Sequence, residues 1–269
     1  MDTVFPARAC IPSPLVHRLW RVLPLGHKES VFLETLHTQR RLVTVNTDIL
    51  TDGDEMPAVL IVSDGWAFRY KLLAHGRCQI LTFILLGDTI GSTASLFTRA
   101  TCPVQALTDV RLCTLKAQHL AEIARDFPKL AWALESVFRQ EESMLAEQVV
   151  RIGRRTAYER LAHLLLELLL RLQAVGHADR ASYDLPLTQE VLADALGLSG
   201  VHVNRTLRQL RTDGLIHLKD RRIIIGDVER LTEVAEFEPA YLQPVHDPHT
   251  TRPYSLSFRQ NHVHPNRFF

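Results

Sequence analysis

Cysteine is scarce in this chain: only four occur, at positions 10, 78, 102 and 113, and no two form a CxxC pair. That spacing excludes a zinc knuckle and a redox dithiol, and it fits reduced thiols in a cytoplasmic protein. A charge excess is also missing, because 31 Lys and Arg oppose 30 Asp and Glu for a formal net charge of +1. A chain so balanced does not coat itself in cation to hold polyanions over its whole surface. No apolar run is long enough to span a bilayer. The strongest, from Leu161 to Leu172, is interrupted by His163, Glu167 and Arg171 and reads as a buried helix. A secretory signal is not expected either, since Pro6, Arg8, Pro12 and Pro14 break the first twenty residues. No nucleophile with a base at workable spacing, no phosphate loop and no paired metal ligands occur, so neither an enzyme nor a metal or cofactor site is expected. The thirteen histidines, including His27, His37 and His75 near the β-rich half, show no ligand spacing and are expected to be surface side chains.

What the chain does contain is a pair of short amphipathic helices with a tight turn between them. Thr188 is placed to cap the first, Glu190 lies in its first turn, and Val191, Leu192, Ala195 and Leu196 make its inner face. Gly197 follows where a left-handed residue would turn the backbone. Ser199 caps the second helix, whose buried stripe is Val203, Leu207 and Leu210, with small Ala193 at the crossing. Residues 215–218 and 223–225 then read as two strands around a Lys219–Arg222 turn. A helix-turn-helix followed by a hairpin is a winged helix. Between Ser199 and Gly226 six cations face two acids, so the positive charge missing from the whole is concentrated here, as phosphate neutralisation requires.

The half before it alternates with period two from about Val31 to Leu115, punctuated by glycine turns such as Asp64-Gly65, and predicts an antiparallel β-roll. A long helix follows, from about Pro128 to Thr156. Leu130, Leu134, Val137, Glu141, Met144 and Gln148 recur along it at spacings of three and four, the pattern of a dimer seam, with Trp132, Phe138 and Leu145 on its flanks. Gly153-Arg154-Arg155 reads as the hinge to the winged helix.

The order β-roll, long helix, winged helix resembles the bacterial Crp/Fnr superfamily of transcriptional regulators. Ser63-Asp64-Gly65-Trp66-Ala67 and Gly76-Arg77-Cys78-Gln79-Ile80 resemble its hairpins, Leu86-Gly87-Asp88-Thr89-Ile90-Gly91 its PGD turn, and Leu192–Leu207 its recognition motif. The resemblance implies an α+β fold with a cyclic-nucleotide-binding-like roll, a long dimerisation helix and a C-terminal winged helix-turn-helix. It sets expected boundaries: an N-terminal segment 1–24, a roll 25–118, a helix 119–152, a DNA-binding unit 153–229 with its helix-turn-helix at 189–208, and a C-terminal helix and irregular tail 230–269. Three departures stand out. Ser92 replaces the Glu that family members use on the ribose, and Ala100-Thr101 replace the Arg-Ser or Arg-Thr pair that holds the cyclic phosphate, with Arg99 one position out of register. The N-terminal cysteine cluster of oxygen-sensing members is reduced to Cys10. Val201 stands where a Glu usually accepts from cytosine.

The expected function is therefore a cytoplasmic homodimeric regulator that binds a palindromic double-stranded operator, with an unknown effector that is not a cyclic nucleotide. His202, Asn204 and Arg205 are the expected base readers, and Ser199, Arg208, Lys219, Arg221 and Arg222 the expected phosphate contacts. RNA polymerase is a further candidate partner, and no membrane is involved. The alternative is a small-molecule, redox or haem sensor in which the roll does the main work and DNA binding is secondary.

Overall fold

The computed structural model describes residues 14–36, 40–92 and 98–243. Cys10, His37 and the tail beyond Gln243 lie outside them.

Two helices open the described chain, α1 (Pro14–Val22) and α2 (His27–Leu36), where the sequence predicts an N-terminal segment and then the strands of the roll. The departure has a local cause. Leu15, Val16 and Leu19 recur at helical spacing and are all buried, and Leu33 of α2 joins the same cluster, so the period here is 3.6 rather than 2.

The roll itself is two four-stranded antiparallel sheets. One runs in the order β1 (Arg40–Val43), β8 (Val110–Lys116), β3 (Ala58–Asp64), β6 (Thr89–Ile90). The other runs β2 (Asp48–Leu50), β7 (Val104–Ala106), β4 (Ala67–Leu72), β5 (Cys78–Ile84). Between them Val43, Ile49, Val62, Ala67, Ile84, Val104 and Leu112 form a dry interior. Gly65 makes the β3–β4 corner with φ +84°, and a Cβ there would come within 2.1 Å of the Asp109 carbonyl oxygen, so only glycine fits.

The connecting helix is split at Phe127-Pro128 into α3 (Ala117–Asp126) and the 27-residue α4 (Pro128–Arg154). Pro128 is the first residue of α4, where its missing N–H costs nothing. The expected dimer seam is corrected here. Leu130, Leu134, Val137, Met144 and Gln148 are buried inside this one chain, against α1, the roll and the helices that follow. Full burial of one such aliphatic side chain stabilises by roughly 1.5–3 kcal/mol, which is the reason the stripe turns inward. Glu141 also points inward, accepting a hydrogen bond from the Thr89 hydroxyl at 2.6 Å. The face left to solvent is the flank: Leu145 is 44% and Val149 62% exposed, with Phe138 and Ile152 half-buried on the same line.

Helix α5 (Ala157–Ala174) follows a capping box in which Glu159 N–H donates to Thr156 and the Thr156 N–H to the Glu159 carboxylate. It runs into β9 (Ser182–Asp184), α6 (Gln189–Leu196), α7 (Gly200–Thr212), β10 (Ile216–Lys219), β11 (Arg222–Ile225) and α8 (Val228–Val234), and the three strands pair in the order β10-β11-β9. Leu161, Leu165, Leu168, Leu196, Val203, Leu210 and Ile223 fill this unit's core, which continues without a break into Trp66, Ile80, Phe83 and Leu85 of the roll. Among the described residues no helix is long and apolar enough to cross a membrane.

Candidate DNA-reading face

Helix α6 is seated by Thr188, whose side chain accepts from the Val191 N–H, and it ends at Gly197 in the left-handed region with φ +63°. Ser199 then caps α7 by accepting from the His202 N–H. Val203, Thr206, Leu207 and Leu210 are buried on the side of α7 that faces α5 and α6, which leaves its other positions facing outward. Val201, His202, Asn204, Arg205 and Arg208 all lie on this exposed surface with the side-chain cap Ser199 at its head.

These side chains are not equally free. His202 turns back, its Nδ1 2.8 Å from the Ser199 hydroxyl. The Asn204 amide donates to Gln189 Oε1 across the turn at 3.1 Å. Gln189 thereby orients Asn204 at the reading surface, a link between two adjacent helix N-termini that spacing alone did not suggest. Arg205 lies exposed between them. Val201 is 80% exposed, the most open large apolar side chain of the described residues. An aliphatic group presented to water at the head of a groove-sized helix is suited to a thymine methyl; the sequence signal was the replacement of an expected acid by valine.

The wing is tighter than the sequence suggested. Its turn is only Asp220-Arg221, both with positive φ (50° and 61°), while Lys219 and Arg222 pair across the two strands. Lys219 and Arg221 are exposed at the tip. Arg222 is engaged in this arrangement: its guanidinium pairs with Asp184 at 3.0 Å and with Asp179, tying β11 to β9 and the loop before it. A side chain already facing two carboxylates fixes the wing's base instead.

The second notable feature is a cavity of about 760 Å³ between the roll and α4, lined by Arg69, Thr82, Thr89, Arg99, Glu141 and Met144 among others. Burial pushes the Glu141 carboxyl above its ordinary value, opposed by Arg18. The position expected to hold a cyclic phosphate is occupied otherwise. Arg99 donates to the Gly53 carbonyl at 2.7 Å and pairs with Glu55, while Ala100 is buried and offers no charge. A buried cyclic phosphate would find no dedicated cation at that position.

Two stretches match known domains: residues 159–234 the Crp-like helix-turn-helix domain, and residues 40–127 the cyclic nucleotide-binding domain. The chain is 30% identical over 191 residues to the transcriptional activator protein FnrL of Cereibacter sphaeroides, covering 70% of this chain and 76% of that protein. It is 32% identical over 183 residues to the nitrogen fixation regulation protein FixK of Azorhizobium caulinodans, covering 68% and 73%. The chain belongs to the Crp/Fnr family. Among solved structures, that of FixK2 from Bradyrhizobium japonicum matches with TM-score 0.65 and 28% identity over 73% of this chain and 96% of that one. Crp/Fnr proteins are DNA-binding transcription regulators, so the regulator reading is favoured over a roll acting mainly as a sensor.

Proposed function

We propose that this Crp/Fnr protein is a cytoplasmic homodimer that reads a two-fold symmetric operator by placing α7 in the major groove. The observation that carries this reading is the exposed surface of α7, capped by Ser199 and presenting Arg205 between Val201, His202 and Asn204, beside a wing tipped with Lys219 and Arg221. Arg205 would take guanine O6 and N7, Asn204 adenine, and Val201 a thymine methyl, while Ser199, Arg208, Lys219 and Arg221 hold phosphates. The partner protomer is assigned to the outer stripe of α4, Phe138, Leu145, Val149 and Ile152, whose spacing of seven, four and three keeps one line along a helix. One reading helix per chain needs such a second copy to span two half-sites about one helical turn apart. RNA polymerase is the further partner of a regulator that activates. The cavity beside α4 is assigned to an effector other than a cyclic nucleotide.

The test is a titration of full-length protein onto a selected operator and onto random duplex at stated salt. Arg205→Ala should cost about 1–3 kcal/mol on the operator and relax the preference at one base position. Cyclic AMP or cyclic GMP at millimolar concentration should leave every affinity unchanged. Equal losses on both DNAs would remove Arg205 from base reading, and a nucleotide-dependent gain would overturn the reading of the cavity.

A further inference from the structure

The DNA-binding unit is joined to the roll by more than the Arg155-Thr156 linker. After α8 the chain doubles back, and a short 3-10 turn, Pro239–Leu242, lands on α4 and α5. This turn lies beyond the residues that match the helix-turn-helix domain, and α1 lies before those that match the roll. Both extensions end in one closed polar circuit. The Tyr241 hydroxyl donates to Glu167 at 2.9 Å, and Glu167 also holds Arg171 at 3.3 Å and Arg151. Arg171 donates to Asp88 at 2.5 Å and to the Phe83 carbonyl at 2.7 Å, so the DNA-binding unit grips the roll's own turn. On its other side Asp88 holds Arg18 of α1; Arg18 donates to Gln140 Oε1 at 2.7 Å, and the Gln140 amide donates to the Leu242 carbonyl, one residue from Tyr241.

Arg18, Asp88, Arg151 and Glu167 are all buried. Buried ion pairs add little net stability over apolar packing of the same volume, but breaking one leaves an uncompensated charge, so such a circuit selects one arrangement sharply. The same docking covers a sheet edge. Strand β5 is the outermost of its sheet, and Gln148 Nε2 bridges its Ile80 carbonyl at 3.4 Å to the Ala195 carbonyl of α6 at 2.8 Å. With the unit held this way, the outward positions of α7 still face solvent.

We propose that the Pro239–Leu242 turn and Arg18 form a clasp that fixes the orientation of the DNA-binding unit on the roll, and that high-affinity operator binding requires the clasp closed. The proposal rests on the DNA-reading assignment above. It follows because a dimer reads two half-sites only when both units are correctly aimed, and apparent affinity scales with the fraction of protein so arranged.

The experiment uses the full-length chain carrying Tyr241→Ala, which removes both the hydroxyl on Glu167 and the ring stacked on His163. Gln140→Ala is the second variant; it cuts the bridge from Arg18 to Leu242 without touching the DNA-binding unit's core. If the closed fraction falls to about a tenth, operator affinity falls about tenfold, with random-duplex affinity within about twofold. In the free protein, amide hydrogen exchange should quicken along Cys78–Ile84 while α7 keeps its protection. Unchanged exchange at β5 in both variants overturns the proposal. So does a gain in operator affinity, which would make the turn a brake. Should the unaltered chain select no operator, the DNA-reading assignment fails, and the exchange measurement still decides whether the clasp exists.

Discussion

Two stripes run side by side along α4, and they have opposite fates. The inner one, Leu130, Leu134, Val137, Met144 and Gln148, is buried by the chain's own roll, α1 and neighbouring helices. The outer one, Phe138, Leu145, Val149 and Ile152, is left partly in solvent. Both satisfy helical periodicity, and the inner is the more continuous, so periodicity alone selects it as the seam. An apolar stripe announces a covering surface without saying whose. Exposure within the folded chain separates them: a row that the protomer leaves uncovered is available to another surface.

Substitution on each stripe separates the two roles. The largest effect is expected at Val137, 1% exposed: Val137→Asp places an unpaired carboxyl in a dry core and should cost roughly 4 kcal/mol of stability, read as a fall in the denaturant midpoint. A folded, stable monomer from that variant would return the seam to the inner stripe. On the outer stripe, Leu145→Glu with Val149→Glu should leave the unfolding midpoint nearly unchanged, since exposed substitutions stay within about 0.5 kcal/mol each. Sedimentation should nevertheless find monomers and operator affinity should fall; a mutant that still sediments as a dimer would place the interface elsewhere.

The smallest effect concerns the polar end of the inner face. His163 is buried beside Arg151, whose Nε donates to its Nδ1 at 3.1 Å, while its Nε2 lies 3.1 Å from Glu147 without completing a hydrogen bond. Burial first, then Arg151 and Arg155, depress its pKa from 6.5 to about 2, so the ring is neutral in the fold. A depressed value means that the unfolded chain binds the proton more readily, and the contribution to stability is complete above pH 6.5 and shrinks as pH falls below it. Each unit of that fall removes at most about 1.4 kcal/mol. His163→Gln should therefore flatten the decline of thermal stability between pH 6.5 and 5. An identical slope in the two proteins would show that other groups set it.

The same contrast explains what was readable in advance. The helix-turn-helix was legible because its signals are local: Thr188 and Ser199 cap the helices they precede, and Gly197 supplies the left-handed turn. The alternating strands of the roll were legible for the same reason. Long-range partnerships were not. Arg222 looked like a wing cation until β9 brought Asp179 and Asp184 against it. His163, Glu167 and Arg171 served in the sequence only to interrupt an apolar run. Their spacing of four was a usable signal, since three ionisable residues on one line of an otherwise apolar run must meet partners when buried. The identity of those partners, Asp88 in the roll and Tyr241 near the far end, depended on tertiary contacts spanning 83 and 74 residues.

Two-fold operator reading is tested most directly by selection of binding sites from a random duplex library by the unaltered full-length protein at a stated salt concentration. A two-fold symmetric sequence should be enriched, its half-sites centred about one helical turn apart, ~10 base pairs, with guanine at the position that Arg205→Ala relaxes. Enrichment of no sequence, or of a single asymmetric half-site bound by a monomer, would contradict it.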